Sequence, residues 1–274
     1  MLTQLLVFVS TVVLCVSAQN STNVTTADVE QAFTTAKIVP DVLPSFNPVG
    51  LLNVVFLDNV TNTTVTVTPG LNMTREQNAL RPTVSFVSNM TTFAQQTFVL
   101  AMVDPDAPTP QNPTSAQIRH LLAPNITLNG SLATGAVLVN NTPAISDFLR
   151  PTPPVGSDPH RYILLLFAQP ANFSSVVPGI LNASTPISNF NISAFAEQLG
   201  LGSPLAGNFF LTGPDANSTN STSTASSAAS SATSPASGSA AGSTTNPPSS
   251  AVGMAELSWT GLTVAMGLLG VLVL

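Results

Sequence analysis

The chain has 274 residues and few charges: Lys, Arg, Asp and Glu make up 7% of the sequence, and the formal net charge is −6. An ordinary soluble domain carries about 25% charged residues. A chain with a pI near 4.5 lacks the basic surface that neutralises nucleic-acid phosphates, which argues against a nucleic-acid-binding protein. The single cysteine, Cys15, excludes a disulfide framework and a cysteine-based zinc site.

The first residues are typical of a secretory signal peptide. An apolar run from Leu5 to Val16 is followed by Ser17 and Ala18, which provide the small residues that signal peptidase prefers. The run is shorter than the roughly 20 apolar residues of a transmembrane helix. We therefore expect residues 1–18 to be a cleaved signal peptide, with an uncleaved signal anchor as the alternative.

The segment 19–215 predicts a mainly β domain with few short helices. One helix is expected from Thr26 to Val39, ended by Pro40, and another from Asn191 to Leu199, ended by Gly200. Between them, strands are predicted at seven β-branched or aromatic segments: Leu51–Leu57, Thr63–Thr68, Thr83–Val87, Phe98–Val103, Arg119–Leu122, Ala136–Val139 and Tyr162–Ala168. The continuously apolar run 163–167 indicates a central strand that is buried on both faces.

Polar residues that could form a binding site are concentrated in two segments of this domain. In residues 98–125, a strand leads into a proline-rich loop that begins at Asp104, and the next strand carries His120. In residues 147–169, a second proline-rich loop leads to His160 at the start of a strand. Prolines fix the backbone angle φ, so polar groups beside them are held at little further entropic cost. Both histidines of the chain lie where a loop meets a strand, which favours a shared site.

A low-complexity segment, residues 216–250, follows the domain. Nineteen of the 34 residues from 217 to 250 are Ser or Thr, and none is charged. Such a composition cannot bury enough apolar area to offset the entropy of ordering. Ser/Thr-rich segments that contain proline are typical of O-glycosylated stalks, so we expect this segment to be a spacer.

The last residues have the layout of a signal for a glycosylphosphatidylinositol (GPI) anchor. Residues 251–274 end in an apolar run that begins at Leu257, and small residues precede them. We expect residues 251–274 to be removed and the lipid to be attached at Ser249 or Ser250, with Gly242 as a rival site. A C-terminal transmembrane anchor is the alternative.

Sequons for N-glycosylation occur throughout the chain. Each Asn-x-Ser/Thr triplet is a weak motif alone, but their number agrees with a chain that has a signal peptide. Their asparagines are Asn20, Asn23, Asn59, Asn62, Asn72, Asn89, Asn125, Asn129, Asn140, Asn172, Asn182, Asn191, Asn217 and Asn220.

The two polar segments resemble the signatures of the phosphatidylethanolamine-binding protein family. DPDAP, a proline-rich loop and then His120, sixteen positions after Asp104, are similar to the first signature. PPVGSDPHRYILLLFAQ is similar to the second, in which PP-x-G is followed by HRY and an apolar strand ending in Gln. A third stretch, FAEQLGLGSPLAGNFF (Phe195–Phe210), resembles the closing helix and small-residue loop. The resemblance covers roughly residues 30–210.

The resemblance implies a large antiparallel sheet packed on a smaller sheet, and a pocket for the phosphate of a phospholipid head group or a similar small anion. Imidazole N–H groups can donate to phosphate oxygens, and nearby carboxylates can fix the tautomer. Two alternatives stay open: the second aspartate of DPDAP could only brace its loop, and Arg161 could pair with an acid. Matched position by position, the pocket residues are Asp104, Asp106, Pro108, His120, Pro154, Gly156, His160 and Tyr162.

Three features depart from the family pattern. Ile118-Arg119 precede His120, where the family often has an aromatic residue or a second histidine, and Phe148 stands where a tyrosine is common. The chain passes through Gly213-Pro214 into the low-complexity segment, where many members have a further helix that covers the pocket. We therefore expect a changed pocket rim without that helical lid. We expect Gly207 to serve a tight turn or a close backbone approach.

Together these features predict a secreted, GPI-anchored, fungal-type member of the family, held at the outer leaflet or cell wall. It would bind a small anion without a metal or other cofactor. Protonated histidines bind anions better, and an unperturbed histidine has a pKa near 6.5, so we predict tighter phosphate binding at about pH 5 than at about pH 8.

The alternatives are an inhibitor of a secreted carboxypeptidase-type protease and a structural cell-wall glycoprotein with a vestigial pocket. An enzyme is not expected, because the sequence has no G-x-S-x-G or HExxH motif.

Overall fold

One curled, nine-stranded sheet forms the centre of the fold in the computed structural model, which describes residues 24–215. The order across the sheet is β2-β1-β4-β7-β6-β5-β8-β9-β3, and every neighbouring pair is antiparallel except β3 and β9, which are parallel. The strands in chain order are β1 Leu51–Leu57, β2 Thr64–Thr66, β3 Leu71–Met73, β4 Thr83–Val87, β5 Phe98–Asp104, β6 Ile118–Asn129, β7 Ala136–Asn140, β8 His160–Ala168 and β9 Ala206–Thr212.

The predicted mainly β fold is confirmed, and the smaller sheet is a continuation of the larger one. The nine-stranded sheet curls until β1 faces β9. Phe56 of β1 packs edge-on against Phe210 of β9, with ring centroids 5.2 Å apart. The side-chain amide of Asn208 in β9 donates to the backbone carbonyls of Leu52 and Val67, at 3.0 and 3.1 Å. The curl is therefore held by both apolar packing and buried hydrogen bonds.

Two apolar clusters stabilise this sheet, one inside the curl and one between the sheet and the helices. The inner cluster includes Phe86 and Met102. The outer cluster includes Phe33 and Phe195 from the helices. Residues 163–167 of β8 are buried, and alternate side chains enter the two clusters, which confirms a central strand buried on both faces.

Four short helices accompany the sheet: α1 Thr26–Thr35, α2 Ile38–Asp41, α3 Phe173–Val176 and α4 Ile192–Leu199. The single helix predicted over Thr26–Val39 is divided by Lys37, which has a φ of 56°. Helix α4 begins one residue after the predicted start, because Asn191 is its N-cap and its side chain accepts from the backbone of Ala194. As predicted, α4 ends at Gly200, which is in the left-handed conformation. No helix within residues 24–215 is long and apolar enough to cross a membrane.

Several predicted features lie outside the described residues. They are the signal peptide 1–18, the stalk 216–250, the anchor signal 251–274 and the attachment candidates Gly242, Ser249 and Ser250, together with the sequons at Asn20, Asn23, Asn217 and Asn220.

Candidate functional site

The two polar segments meet at one end of the central strands. Strand β5 ends at Asp104 and lies between β6 and β8, so its last side chain comes between His120 of β6 and His160 of β8. Oδ2 of Asp104 is 2.9 Å from Nδ1 of His160 and 3.9 Å from Nε2 of His120. The sequence-based prediction of a shared site is supported by this geometry for these three residues.

Asp104 is a buried carboxylate that remains ionised. Only 2% of its surface is exposed, and burial acts to raise its pKa. Interactions with His120 and His160 outweigh burial, assisted by a hydrogen bond from the backbone N–H of Asp106 at 2.8 Å. The pKa of Asp104 therefore lies below its ordinary value of 3.8, and the carboxylate is charged at neutral pH.

Both ring nitrogens of His160 face hydrogen-bond acceptors. Nδ1 faces the ionised carboxylate of Asp104 at 2.9 Å, and Nε2 lies 3.2 Å from the carbonyl oxygen of Pro108 and 2.9 Å from Oγ of Ser157. The Ser157 hydroxyl donates to the carbonyl of Asp158 at 2.8 Å. Asp104 and His160 thus form a buried, hydrogen-bonded pair, the Asp104–His160 pair.

His120 is held by the backbone and presents its second nitrogen. Nδ1 donates to the carbonyl of Leu149 at 2.7 Å, and the backbone N–H of Leu149 donates back to the carbonyl of His120 at 2.8 Å. With Nδ1 fixed as a donor, Nε2 gains a hydrogen only when the ring is protonated. Nε2 of the protonated ring would then be a donor for an anion.

Tyr162 packs beside both histidines. Its ring lies edge-on to His120, with centroids 5.1 Å apart, and it stacks on Phe210 at 5.4 Å. Burial raises the pKa of Tyr162, and the negative charges of Asp104 and Asp106 raise it further. The phenol therefore stays neutral and keeps a hydrogen to donate.

Asp106 braces its loop through Arg161. Its carboxylate accepts from the backbone N–H of Arg161 at 2.7 Å, and from Nε at 3.0 Å and Nη2 at 2.7 Å of the same residue. Burial acts to lower the pKa of Arg161, but Asp106 and Asp41 raise it more. Both Asp106 and Arg161 line a polar cavity of about 570 Å³ whose lining does not include the histidines. Among the alternatives left open by the sequence, the structure favours the bracing role for Asp106 and the ion pair for Arg161.

The remaining predicted residues flank the Asp104–His160 pair. Pro108 contributes its carbonyl to His160, and the carbonyl of Pro154 accepts from the backbone of Ser157 at 3.1 Å. Gly156 lies in the turn between Pro154 and Ser157 and has a φ of 83°, a left-handed conformation that favours glycine. These three residues are exposed, whereas the histidines are buried.

Sequence reasoning missed a polar group on the other side of the site. Asn78 is fully buried and donates to Thr212 Oγ1 at 2.7 Å, and Thr212 pairs with His160 in the register of β8 and β9. The charge of Arg75 acts on Tyr162, and its guanidinium pairs with Asp215 at 2.6 Å. Arg75 and Asn78 lie outside both motifs, so no motif links them with the two polar segments. Ser157, in contrast, could have been found, because it lies three residues before His160.

Arg119, one of the residues that depart from the family pattern, makes its contacts away from the histidines. Its guanidinium lies 5.2 Å from the ring centroid of Phe190 and donates to the carbonyl of Thr185 at 3.1 Å. Phe148 packs against the inner apolar cluster, with its ring centroid 6.5 Å from that of Phe56.

Within the described part of the chain, no group of three or more His, Cys, Asp or Glu side chains is placed to hold a metal ion.

Comparisons with known proteins agree on the fold and the family. Two curated relatives are the 26 kDa secreted antigen of Toxocara canis, 33% identical over 179 residues, and protein MOTHER of FT and TFL1 homolog 2 of Oryza sativa subsp. japonica, 36% identical over 109 residues. These matches cover 65% and 40% of this chain, and 62% and 56% of the relatives, so the chain spans less than two thirds of either.

Solved structures show the same fold. A carboxypeptidase Y inhibitor, solved with its cognate proteinase, has a TM-score of 0.58 and 22% identity, covering 69% of this chain and 97% of the other. The phosphatidylethanolamine-binding protein from Plasmodium vivax has a TM-score of 0.52 and 16% identity, with coverages of 68% and 97%. The family model described as phosphatidylethanolamine-binding protein matches residues 59–210. The chain is therefore a member of the phosphatidylethanolamine-binding protein family.

Proposed function

We propose that this chain is a binding protein for a phospholipid head group or another small phosphorylated anion, with the ligand held at the end of the central strands. The observation that carries the proposal is the buried Asp104–His160 pair, with Nε2 of His120 and the neutral phenol of Tyr162 grouped around the same carboxylate. Both are suited to phosphate oxygens.

The charge balance of the site explains when an anion would bind. Arg161 offsets Asp106, and the two imidazoles face the carboxylate of Asp104. With both imidazoles protonated, the site would carry a net positive charge. The tighter phosphate binding expected at about pH 5 than at about pH 8 follows from the general preference of anions for protonated imidazoles.

Titration calorimetry with inorganic phosphate and with phosphoethanolamine at both pH values would test the proposal. We expect His120→Ala to abolish binding at about pH 5. Arg81→Ala, which removes an exposed cation elsewhere in the fold, should leave binding unchanged and serves as the matched control. Absence of binding by the folded wild-type protein, or tighter binding at the higher pH, would overturn the proposal.

The location we propose is extracellular, with residues 1–18 cleaved, 19–215 folded, 216–250 forming a glycosylated stalk and a GPI anchor replacing 251–274. A secreted antigen among the relatives supports secretion, as do the sequons, because nine of the ten described sequon asparagines are exposed and Asn125 is partly buried. Phosphatidylinositol-specific phospholipase C should release the protein from intact cells that express it. Retention of the protein on treated cells would contradict the anchor.

The sequon at Asn125 differs from the others in its contacts. Nδ2 of Asn125 donates to Thr142 at 3.1 Å, and Oδ1 accepts from Gln169 at 2.6 Å. The hydroxyl of Thr127, the third residue of this sequon, accepts from Asn141 at 2.9 Å. We therefore propose the nine exposed asparagines as the preferred glycosylation sites within the described residues.

Inhibition of a secreted carboxypeptidase is a second candidate function. It is favoured by the fold shared with the carboxypeptidase Y inhibitor. Inhibition assays with the wild-type chain and with His120→Ala would distinguish an inhibitor that uses the site from one that uses another surface. If neither protein inhibits secreted carboxypeptidases, this second candidate is excluded for those enzymes.

A further inference from the structure

Arg119 is a buried cation to which the described residues offer no carboxylate. Only 1% of its surface is exposed, and no salt bridge in the described part of the chain includes it. The other arginines differ in this respect: Arg75, Arg81 and Arg161 each pair with an aspartate. Arg150 is exposed to solvent. A buried charge without a counter-charge destabilises a fold, so the position of Arg119 needs an explanation.

The contacts of Arg119 are all with uncharged groups. Nε donates to the hydroxyl of Ser146, Nη2 to the carbonyl of Thr185 at 3.1 Å and Nη1 to the carbonyl of Pro186 at 3.5 Å. Cζ lies 5.2 Å from the ring centroid of Phe190, whose π electrons attract a cation. Three of the five N–H groups of the guanidinium are used in this way. The side chain is thus held in position and still has N–H groups to donate.

Arg119 also lines a cavity of about 580 Å³, whose wall comes largely from the segment 180–191 and from α4. The volume is in the range of small-molecule sites. Apolar side chains, among them Leu181 and Phe195, form much of the wall, and Arg119 is the only charged residue among the described residues that line it. His120, the next residue in the chain, is not part of this wall. The cavity is therefore an apolar pocket with one cation, separate from the histidines.

The N-terminus of α4 adds positive potential to the same cavity. The N-cap Asn191 and Ala194 of the first turn belong to the wall. The first turn contains no acidic residue, so the partial positive charge at this end of the helix is not offset there. The helix end and Arg119 would therefore both favour a negative group.

We propose that this cavity binds a small monocarboxylic acid, with the carboxylate on Arg119 and an apolar body against Leu181 and Phe195. One carboxylate would supply the single negative charge that the site lacks, and its two oxygens match the planar fork of a guanidinium. The apolar body would displace water from the apolar wall. Because the cavity is separate from the histidines, the inference does not rest on the proposed function.

The sequons favour a small molecule over a protein as the occupant. Asn191 lines the cavity, and Asn182 follows Leu181 of its wall directly in the chain. Both asparagines are exposed, and glycans on them would hinder the approach of a protein surface. A small acid could still enter between them.

Titration calorimetry with octanoate and benzoate at neutral pH would test the proposal, with octanol and benzyl alcohol as the uncharged counterparts. The protein should be the chain ending at Ser250, expressed with its glycans, because the apolar segment 251–274 would itself attract octanoate. We expect the wild type to bind at least one of the acids, and its alcohol about tenfold or more weakly, since the hydrogen bonds to a charged group are lost.

Arg119→Met should weaken binding of the acid about tenfold or more, for the same reason. Arg81→Met, which removes a cation from an exposed pair elsewhere in the fold, is the matched control and should bind the acid like the wild type. If Arg119→Met impairs folding, Gln198→Glu is the second variant. Gln198 is exposed and lines the cavity, so a glutamate there would repel the acid and leave binding of the alcohol unchanged. Gln31→Glu, at an exposed position of α1, is its control.

Equal binding of acid and alcohol by the wild type would overturn the inference, as would equal binding of the acid by the wild type and either folded cavity variant. Equal loss of acid and phosphate binding in a folded Arg119→Met variant would also overturn it, because one site would then serve both anions. A wild type that binds phosphate but neither acid would overturn the inference and leave the site at the histidines standing. A wild type that binds an acid through Arg119 but no phosphate would support the inference and contradict the proposed function.

Discussion

The side-chain amide of Asn208 in β9 donates to the backbone carbonyl of Leu52 in β1, 3.0 Å away, and so links two strands that are not neighbours in the sheet. The same amide donates to Val67, and its oxygen accepts from the backbone of Phe209 at 2.8 Å. Because Asn208 is only 5% exposed, water cannot readily replace these bonds. The curl of the sheet thus depends on a polar side chain within an apolar interior.

Asn208→Ala should lower the free energy of unfolding by about 2 kcal/mol, because two buried carbonyls lose their donor. Asn208→Asp should cost more, since a carboxylate would face those carbonyls with acceptors alone. Urea denaturation measures both effects, and Asn112→Asp, at an exposed position, is the control. Equal losses for the alanine and aspartate variants would contradict this account of the curl.

Asp104→Asn should reduce stability in a pH-dependent way. The folded pKa of Asp104 lies below the ordinary 3.8, so its ionised carboxylate stabilises the fold above about pH 4, and this contribution is lost as the pH falls through the folded pKa. At neutral pH we expect a loss of about 2 kcal/mol, because the buried hydrogen bonds of the carboxylate with His160 and with the backbone of Asp106 are weakened. The difference between wild type and variant should narrow below about pH 4. A difference that stays constant from neutral to acid pH would show that Asp104 is not the stabilising charge.

Asp106→Ala should lower the free energy of unfolding by about 2 kcal/mol while phosphate binding persists. The side chain of Asp106 is 3% exposed and that of Arg161 is 19% exposed, so the variant leaves a partly buried guanidinium without its main partner. The control is Asp147→Ala, which breaks the exposed pair with Arg81 at 3.5 Å and should cost at most about 0.5 kcal/mol. Thermal unfolding and calorimetry together would check both properties. Loss of phosphate binding by a fully folded Asp106→Ala variant would show that Asp106 takes part in ligand binding.

Gly207→Ala should destabilise the protein by about 2 kcal/mol through overpacking. An added Cβ would lie 2.8 Å from Cζ of Phe33 and 3.2 Å from the carbonyl oxygen of Leu164, which confirms the close approach predicted from the sequence. Gly179→Ala is the matched control, because its Cβ would meet nothing within 4 Å. Chemical denaturation of the two variants should show a loss only for the first, and equal stabilities would argue that α1 can shift to make room.

Local sequence signals were sufficient where each element depends on its own residues. The bounds of β1 and β4 equal those predicted, because regular apolar spacing and flanking turn residues define them. The end of α4 is also as predicted and its start differs by one residue, since its cap Asn191 and its terminator Gly200 are adjacent to it in the chain. These elements carry their own start and stop signals.

Strands β6 and β9 show what local signals could not provide. Pro124-Asn125 favours a turn, yet β6 continues through it to Asn129, with Asn125 at a φ of 55° and a shift in the register with β5. Gly207 lies in the stretch expected to form a small-residue loop, but it and its neighbour Asn208 belong to β9. Their residue types are required by contacts with α1 and β1, which lie far away in the chain.

The motifs predicted which residues would lie together, and the structure brings Asp104, His120 and His160 together at the end of the central strands. The role of these residues as a binding site stays a prediction. The pattern could not separate the two aspartates, because only the fold shows that Arg161 occupies both oxygens of Asp106. Arg75 and Asn78 lie outside both motifs, and only the packing of the folded chain brings them close to the site.

The contacts of Asn125 have a consequence for the order of events during synthesis. Transfer of a glycan needs a free asparagine amide and a free hydroxyl two residues later, and in the folded protein Thr142 and Gln169 hold the first while Asn141 holds the second. A carbohydrate on Asn125 would therefore mark molecules in which transfer preceded the pairing of β6 with β7. A bare Asn125 beside an occupied Asn129, in the same strand, would mark molecules in which that part of the sheet formed first.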